Sequence, residues 1–208
     1  MKPALIIFDF DGTLADTLPW FAAAFNEVAD KYRFRRLESG HQHALRGLDV
    51  RQIMARQRIA FWKLPLIARH MRARMARDIA GIALFPGIVA ALRELAGRGV
   101  RLALVTSNSR ANVQQVLGPD VAALFCDGQY GASVFGKLAK VRKVIANSGV
   151  APEEVLMIGD EIRDAHAARD AGIAFGAVAW GYNHVEALID QGSQEVFLKV
   201  GDLSRRFA

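Results

Sequence analysis

The chain has 208 residues, 52% of them hydrophobic and 23% charged, enough for one α/β domain with a modest insert and too apolar for a disordered chain. Lys and Arg number 27 against 21 Asp and Glu, a formal net charge of +6, and the single cysteine, Cys126, excludes an intrachain disulfide and fits a reducing compartment. The start, Met1–Phe8, is too short and too soon acidic for a signal peptide, and no window holds about 18 uninterrupted apolar residues, so a cytoplasmic protein without membrane insertion is expected.

The first apolar run, Ala4–Phe8, reads as a buried parallel strand. Residues 16–83 then show helical periodicity and little β signal, with helices expected over Phe21–Tyr32, Val50–Ile59 and Pro65–Ile79. Residues 31–77 hold thirteen Lys or Arg and two acids, a balance of +11, which leaves −5 on all the rest. A composition break of this size marks a separate unit. The expectation is an all-helical cap, residues 16–83, inserted after the first strand of a core made from residues 1–15 and 84–208. Trp20, Phe21 and Phe25 are expected to pack the insert on the core, and Trp62 to do likewise.

Beyond the insert, Pro86-Gly87 opens a helix that runs to Gly97. A strand follows at Arg101–Thr106, a helix at Ser109–Leu117 and a strand at Ala123–Cys126, where Cys126 reads as a small core residue. Lys137–Ser148 is the next helix, Val155–Ile158 a strand, Glu161–Ala171 a helix closed by Gly172, and Ala174–Ala179 a strand. Alternating strand and helix is the pattern of an α/β fold with an open, doubly wound, parallel Rossmann-like sheet.

In such a sheet ligands bind at the carboxyl ends of the strands. The first strand ends in Asp9-Phe10-Asp11-Gly12-Thr13-Leu14, the second in Thr106-Ser107-Asn108, and the fourth in Gly159-Asp160-Glu161-Ile162-Arg163-Asp164. Residues two apart on a strand share a face, so Asp9 and Asp11 straddle the strand end while Phe10 points into the core and Gly12 permits the turn. Four acids at one mouth repel unless a cation joins them. An all-oxygen set favours Mg²⁺, and Lys137, after Gly136, can bring a protein cation.

These residues resemble the four motifs of the haloacid dehalogenase-like hydrolase superfamily. The Asp16-Thr17 that follows and the helical insert at that point resemble its phosphoglycolate phosphatase-like branch. The resemblance implies that Asp9 is a nucleophile forming an aspartyl-phosphate and that Asp11 is the acid and base for leaving group and water. It implies Mg²⁺ on Asp9, the Asp11 carbonyl and Asp160, and phosphoryl oxygens on Thr106 and the backbone N–H groups of Ser107 and Asn108. Lys137 would balance charge, and Asp164 would support the metal shell or Lys137. The substrate would be a small phosphorylated metabolite, phosphoglycolate-like or a sugar phosphate, with no nucleic acid partner expected.

Blander readings stand beside these. Asp160 and Asp164 could cap a helix, Thr106–Ser109 could do the same for the next one, and Lys140, one turn beyond Lys137, is the alternative lysine. Glu161 reads as a residue of the first helical turn, with metal binding, directly or through water, as the alternative. His41 and His43 read as solvated loop residues. The basic insert reads as a solvated face, as a steering field for anions, or as a nucleic-acid or acidic-lipid surface. Asp11 counts against a dehalogenase, and only Lys31 and Lys63 could serve an imine-forming phosphonatase. A phosphomutase uses the same two aspartates and stays open, as does a non-catalytic binding protein on this scaffold.

Overall fold

The structure is a computed structural model that describes residues 3–38, 45–131 and 136–207. Six parallel strands form one sheet: β1 Leu5–Phe8, β2 Arg101–Val105, β3 Phe125–Gln129, β4 Val155–Gly159, β5 Ala174–Val178 and β6 Glu195–Phe197, in the order β3-β2-β1-β4-β5-β6. Central β1 has no amphipathic alternation because both faces of the sheet are covered. Ile6 and Phe8 enter one apolar cluster, Leu5 and Ile7 the other. Phe8 lies opposite Leu104 of β2 and Ile158 of β4. Strand order reverses between β1 and β4, and there a crevice opens beyond the carboxyl ends.

Between β1 and β2 lie α1 Leu18–Tyr32, α2 Val50–Gln57 and α3 Leu64–Asp78. The core helices are α4 Ile88–Gly97, α5 Arg110–Ala122, α6 Lys137–Ser148 and α7 Ile162–Ala171, followed by short α8 Val185–Ile189 and α9 Asp202–Arg205. The chain leaves and re-enters the core side by side. Asp16 N–H donates to the Ala83 carbonyl and Phe85 N–H to that of Leu14, both at 2.9 Å. Met75, Ile79 and Ile82 then sink into the same apolar cluster as Phe10 and Leu14. No described helix is long and apolar enough to cross a membrane.

Several expectations need correction. The third strand sits at Phe125–Gln129 rather than Ala123–Cys126, because α5 does not stop at Leu117: Gly118, at φ 69°, kinks it and Pro119 restarts it as far as Ala122. Cys126 is exposed, since β3 is an edge strand. Trp62 is 67% exposed, with Lys63 Nζ 5.4 Å from its ring centroid, so it packs nothing onto the core. Trp20 does pack against the core cluster, but Phe25 is buried within the insert against Phe21 and Phe34. Strand β6 is too short to show a period, and only Phe197 of it is buried.

Gly12 shows how tightly the β1 end is built. Its φ is +79°, and a Cβ there would stand 2.2 Å from Asp160 Oδ2 and 2.4 Å from the Tyr182 ring. Gly99 has a similar φ of +80° with open space around it. Gly99→Ala should therefore cost only the left-handed backbone penalty, about 1 kcal/mol. Gly12→Ala should cost that plus overpacking, about 3 kcal/mol or more. Urea unfolding of the two variants checks the difference.

Candidate active site

The Asp9 N–H donates to the Ile158 carbonyl at 2.9 Å, which carries the β1–β4 ladder one residue past the strand. Its carboxylate therefore sits at the strand end, and the residue is 1% exposed. The Leu14 and Ala15 N–H groups both donate to the Phe10 carbonyl at 2.9 Å, closing a turn that leaves Phe10 in the core and sets Asp11 in the wall of the crevice.

Lys137, the first residue of α6, is buried and brings its Nζ 2.8 Å from Asp9 Oδ2. The same ammonium donates to Asp164 Oδ1. Asp164 Oδ2 accepts the Glu161 N–H at 3.1 Å, so this carboxylate caps α7 and holds the lysine at once. Lys137, not Lys140, is the lysine that reaches Asp9. Asp160 is fully buried; its Oδ1 accepts the Thr13 hydroxyl at 2.6 Å and its Oδ2 the Tyr182 N–H at 2.8 Å.

At the end of β2, the Thr106 hydroxyl accepts the Asn108 N–H at 3.0 Å, which leaves its own proton to donate. That N–H was expected to meet a phosphoryl oxygen and is instead used within the loop. The Asn108 side chain does something the sequence did not announce: its Nδ2 donates to both Asp11 oxygens, at 3.1 and 3.2 Å. Ser107 borders the crevice, and its carbonyl accepts from Arg72 at 3.3 Å.

Three other contributors were missed. Thr13 and Tyr182 reach Asp160 across 147 and 22 positions, distances at which no pattern speaks. Arg163 was legible in principle, as a cation inside the Asp160-x-x-x-Asp164 spacing. It pairs with Glu161, which sits at the N-terminus of α7 as its type suggested. His41 and His43 lie outside the described residues.

Burial sets the acidity of these groups. It pushes the Asp9 carboxyl up to about 7, with Lys137 pulling it down and Asp164 pushing it up. Burial also pushes Asp11 up to about 6, against the hydrogen bond from Asn108. Asp160 is raised well above the usual range by burial and then by Glu161 and Asp9. For Lys137 burial acts downward, but Asp164 and Asp9 outweigh it and the ammonium is held.

The donor set fits a hard divalent cation. Asp9, Asp160 and Asp164 each offer an oxygen, all within 4.8 Å of one another. Apart from its ion pair with Lys137, neither buried oxygen of Asp9 receives a hydrogen bond, the mark of a carboxylate that lacks a partner. Asp9 meets no donor but Lys137 and Asp160 accepts only neutral donors, whereas Asp164 takes both the Lys137 ammonium and the Glu161 N–H; Asp9 and Asp160 are thus the better-placed pair of ligands. Above them a cavity of about 560 Å³ opens, bordered by Asp11, Ser107, Asn108, Glu161 and Arg163 on the core side and by the insert on the other.

The model of the haloacid dehalogenase-like hydrolase family matches residues 6–178. A phosphoglycolate phosphatase of Synechococcus elongatus is 32% identical over 88% of this chain and 87% of its own length. One from Escherichia coli is 28% identical, covering 95% of this chain and 90% of the relative. Among solved structures, a haloacid dehalogenase-like hydrolase of Streptococcus pneumoniae superposes with a TM-score of 0.80 at 21% identity, covering 100% and 99% of the two chains. CbbY of Rhodobacter sphaeroides, solved in complex with phosphate, superposes with a TM-score of 0.74 at 25% identity, covering 97% and 96%.

The raised carboxyls make stability depend on pH. A carboxyl with a folded pKa above its unfolded value, like Asp9 and Asp11, stabilises below about pH 4, and that contribution is lost as pH rises through the folded values near 6 and 7. In a chelator the melting temperature should therefore fall between pH 5 and pH 8, and Asp9→Asn should flatten the fall. Millimolar MgCl₂ should raise the wild-type melting temperature more at pH 8 than at pH 5, and raise that of Asp9→Asn less. Calorimetry at the two pH values reads all three.

Proposed function

The chain belongs to the haloacid dehalogenase-like hydrolase family, and we propose that it is a phosphomonoester hydrolase in which Asp9 takes the phosphoryl group. The observation that carries this reading is the Asp9 carboxylate: buried, unsatisfied by hydrogen-bond donors, and held by Lys137 at the end of β1. Phosphoglycolate phosphatase is the name its curated relatives carry.

In this mechanism the Asp9 carboxylate attacks phosphorus in line with the ester oxygen. The new bond is Asp9 O–P and the one that breaks is P–O to the alcohol. Asp11 gives its proton to the departing oxygen; its carboxyl, raised to about 6, keeps a useful protonated fraction near neutral pH. Asp11 then takes a proton from water, which attacks phosphorus and returns Asp9 as carboxylate. Asn108 fixes the Asp11 carboxyl by binding both of its oxygens. Lys137 pulls the Asp9 carboxyl down against burial and so favours the ionised form that attacks, Asp164 keeps Lys137 in place, and the Thr106 hydroxyl donates to a phosphoryl oxygen. Mg²⁺ held by Asp9, Asp160 and the Asp11 carbonyl would neutralise the phosphoryl oxygens and orient them.

Of the rival activities, a phosphonatase finds less support and a phosphomutase stays open. An imine-forming lysine in the insert would have to reach the crevice, but Lys63 Nζ donates to the Tyr32 carbonyl at 2.7 Å and Lys31 Nζ sits 3.1 Å from His70 Nδ1. Neither residue borders the cavity. A phosphomutase would turn over a sugar bisphosphate by interconversion rather than by release of phosphate.

With para-nitrophenyl phosphate and Mg²⁺, Asp9→Asn should lower kcat by about 10³-fold or more. Asp11→Asn should lower it by roughly 10²- to 10⁴-fold. Phosphate-release assays measure both; equal rates for wild type and Asp9→Asn would remove the mechanism.

A further inference from the structure

The crevice above Asp9 continues into a hollow whose chemistry differs from that of its mouth. On the insert side the wall is built from Phe21, Phe25, Ile53, Ile67 and Met71, with Met75 nearer the core, in a cavity of about 560 Å³. Helices α1, α2 and α3 turn their apolar faces inward, as amphipathic helices do, yet they do not close on one another. Natural interiors are packed nearly without voids. A cavity of this size leaves the apolar side chains of its insert-side wall without packing partners, so it is a place for a ligand. The volume is that of an ordinary small-molecule pocket.

Most of the polar groups around it are already engaged, the buried Nε of Arg163 at the mouth being an exception. Arg46 donates to the Tyr182 and Gly181 carbonyls at 2.9 and 2.8 Å. Arg72 donates to the Ser107 carbonyl, and Arg163 pairs with Glu161. Asp49 caps α2 through the Gln52 N–H. Asn183 gives its amide protons to the Arg46 and Leu48 carbonyls and accepts the Ile162 N–H. A carboxylate or a row of sugar hydroxyls pushed past the mouth would meet hydrocarbon and lose its water without replacement.

We infer that the preferred substrate is the phosphate monoester of an apolar alcohol, with a hydrocarbon portion well beyond the two carbons of glycolate lying in the hollow between α1, α2 and α3. The inference rests on the phosphatase reading for its chemistry and on the cavity wall for its specificity. The phosphoryl group stays at Asp9, and the hydrocarbon packs against the apolar wall of the insert.

The test is a homologous series of ethyl, butyl, hexyl and octyl phosphates, assayed with Mg²⁺ beside phosphoglycolate and ribose 5-phosphate. The expected result is a kcat/KM that climbs roughly three- to fourfold per methylene until the hollow is full, with octyl phosphate above both polar esters. Filling the hollow with Ala22→Phe or Ala68→Trp should collapse the octyl-to-ethyl ratio by about tenfold or more. Calorimetric titration of the wild-type protein with ethyl- and octylphosphonate, which are not hydrolysed, supplies the arm that needs no turnover. Hydrolysis without dependence on chain length, or with phosphoglycolate favoured over octyl phosphate, overturns the substrate class and leaves the phosphatase reading intact. Octylphosphonate binding that is no tighter than ethylphosphonate overturns it too. If no ester is hydrolysed while octylphosphonate still binds far more tightly than the ethyl compound, the phosphatase reading falls and the apolar site stands.

Discussion

A lysine ammonium taken out of water between two carboxylates holds this site together. Lys137 touches Asp9 on one side and Asp164 on the other, all three side chains almost fully buried. Each charge alone would be expensive in such a place, and removing one would strand the others. The arrangement ties three pieces of chain: the end of β1, the start of α6, and the first turn of α7. It also explains why Asp9 keeps unsatisfied oxygens. The triad compensates its charge through Oδ2 alone and gives Oδ1 no donor.

The second principle of the structure is a division between a polar floor and an apolar roof. The floor is made by loops at the carboxyl ends of β1, β2 and β4, where backbone N–H groups and short polar side chains are fixed by the sheet. The roof is made by helices and the segment before α2, where Arg46 and Arg72 donate to carbonyl groups and Arg74 pairs with Glu27 and Asp78. The interior that faces the floor is mainly hydrocarbon, with Arg46, Asp49 and Arg72 among the residues that line it.

Much of the floor was legible because its signals are local. Strand β1 is a bare apolar run, and Asp9-Phe10-Asp11-Gly12 packs two acids, a core aromatic and a turn into four residues. The Asp160–Asp164 spacing is one helical turn, so the second carboxylate returns to the mouth as the helix begins. Lys137 was harder, since only Gly136 before it favoured it over Lys140; burial between two acids, a property of the fold, settles where it goes. The partners of Asp160 and Asp11 could not be read at all. Thr13 and Tyr182 meet Asp160 only when β1, β4 and the loop after β5 converge. Cys126 and Trp62 failed for the opposite reason: apolar residue type was taken as burial, whereas one sits on an edge strand and the other on the outer surface of the insert.

Asn108 links two parts of the molecule that could otherwise move independently. Its amide holds Asp11 and also approaches Met75 Sδ at 2.9 Å. Its oxygen accepts from Asn112 at 3.0 Å, and Asn112 donates in turn to the Arg72 carbonyl at 3.0 Å. Met75 and Arg72 belong to α3. The orientation of the proton donor is thereby geared to the seating of the roof. A displacement of α3 would disturb the bracket on the Asp11 carboxyl through Asn108, so in the proposed mechanism the packing of the insert bears on the residue assigned to proton transfer.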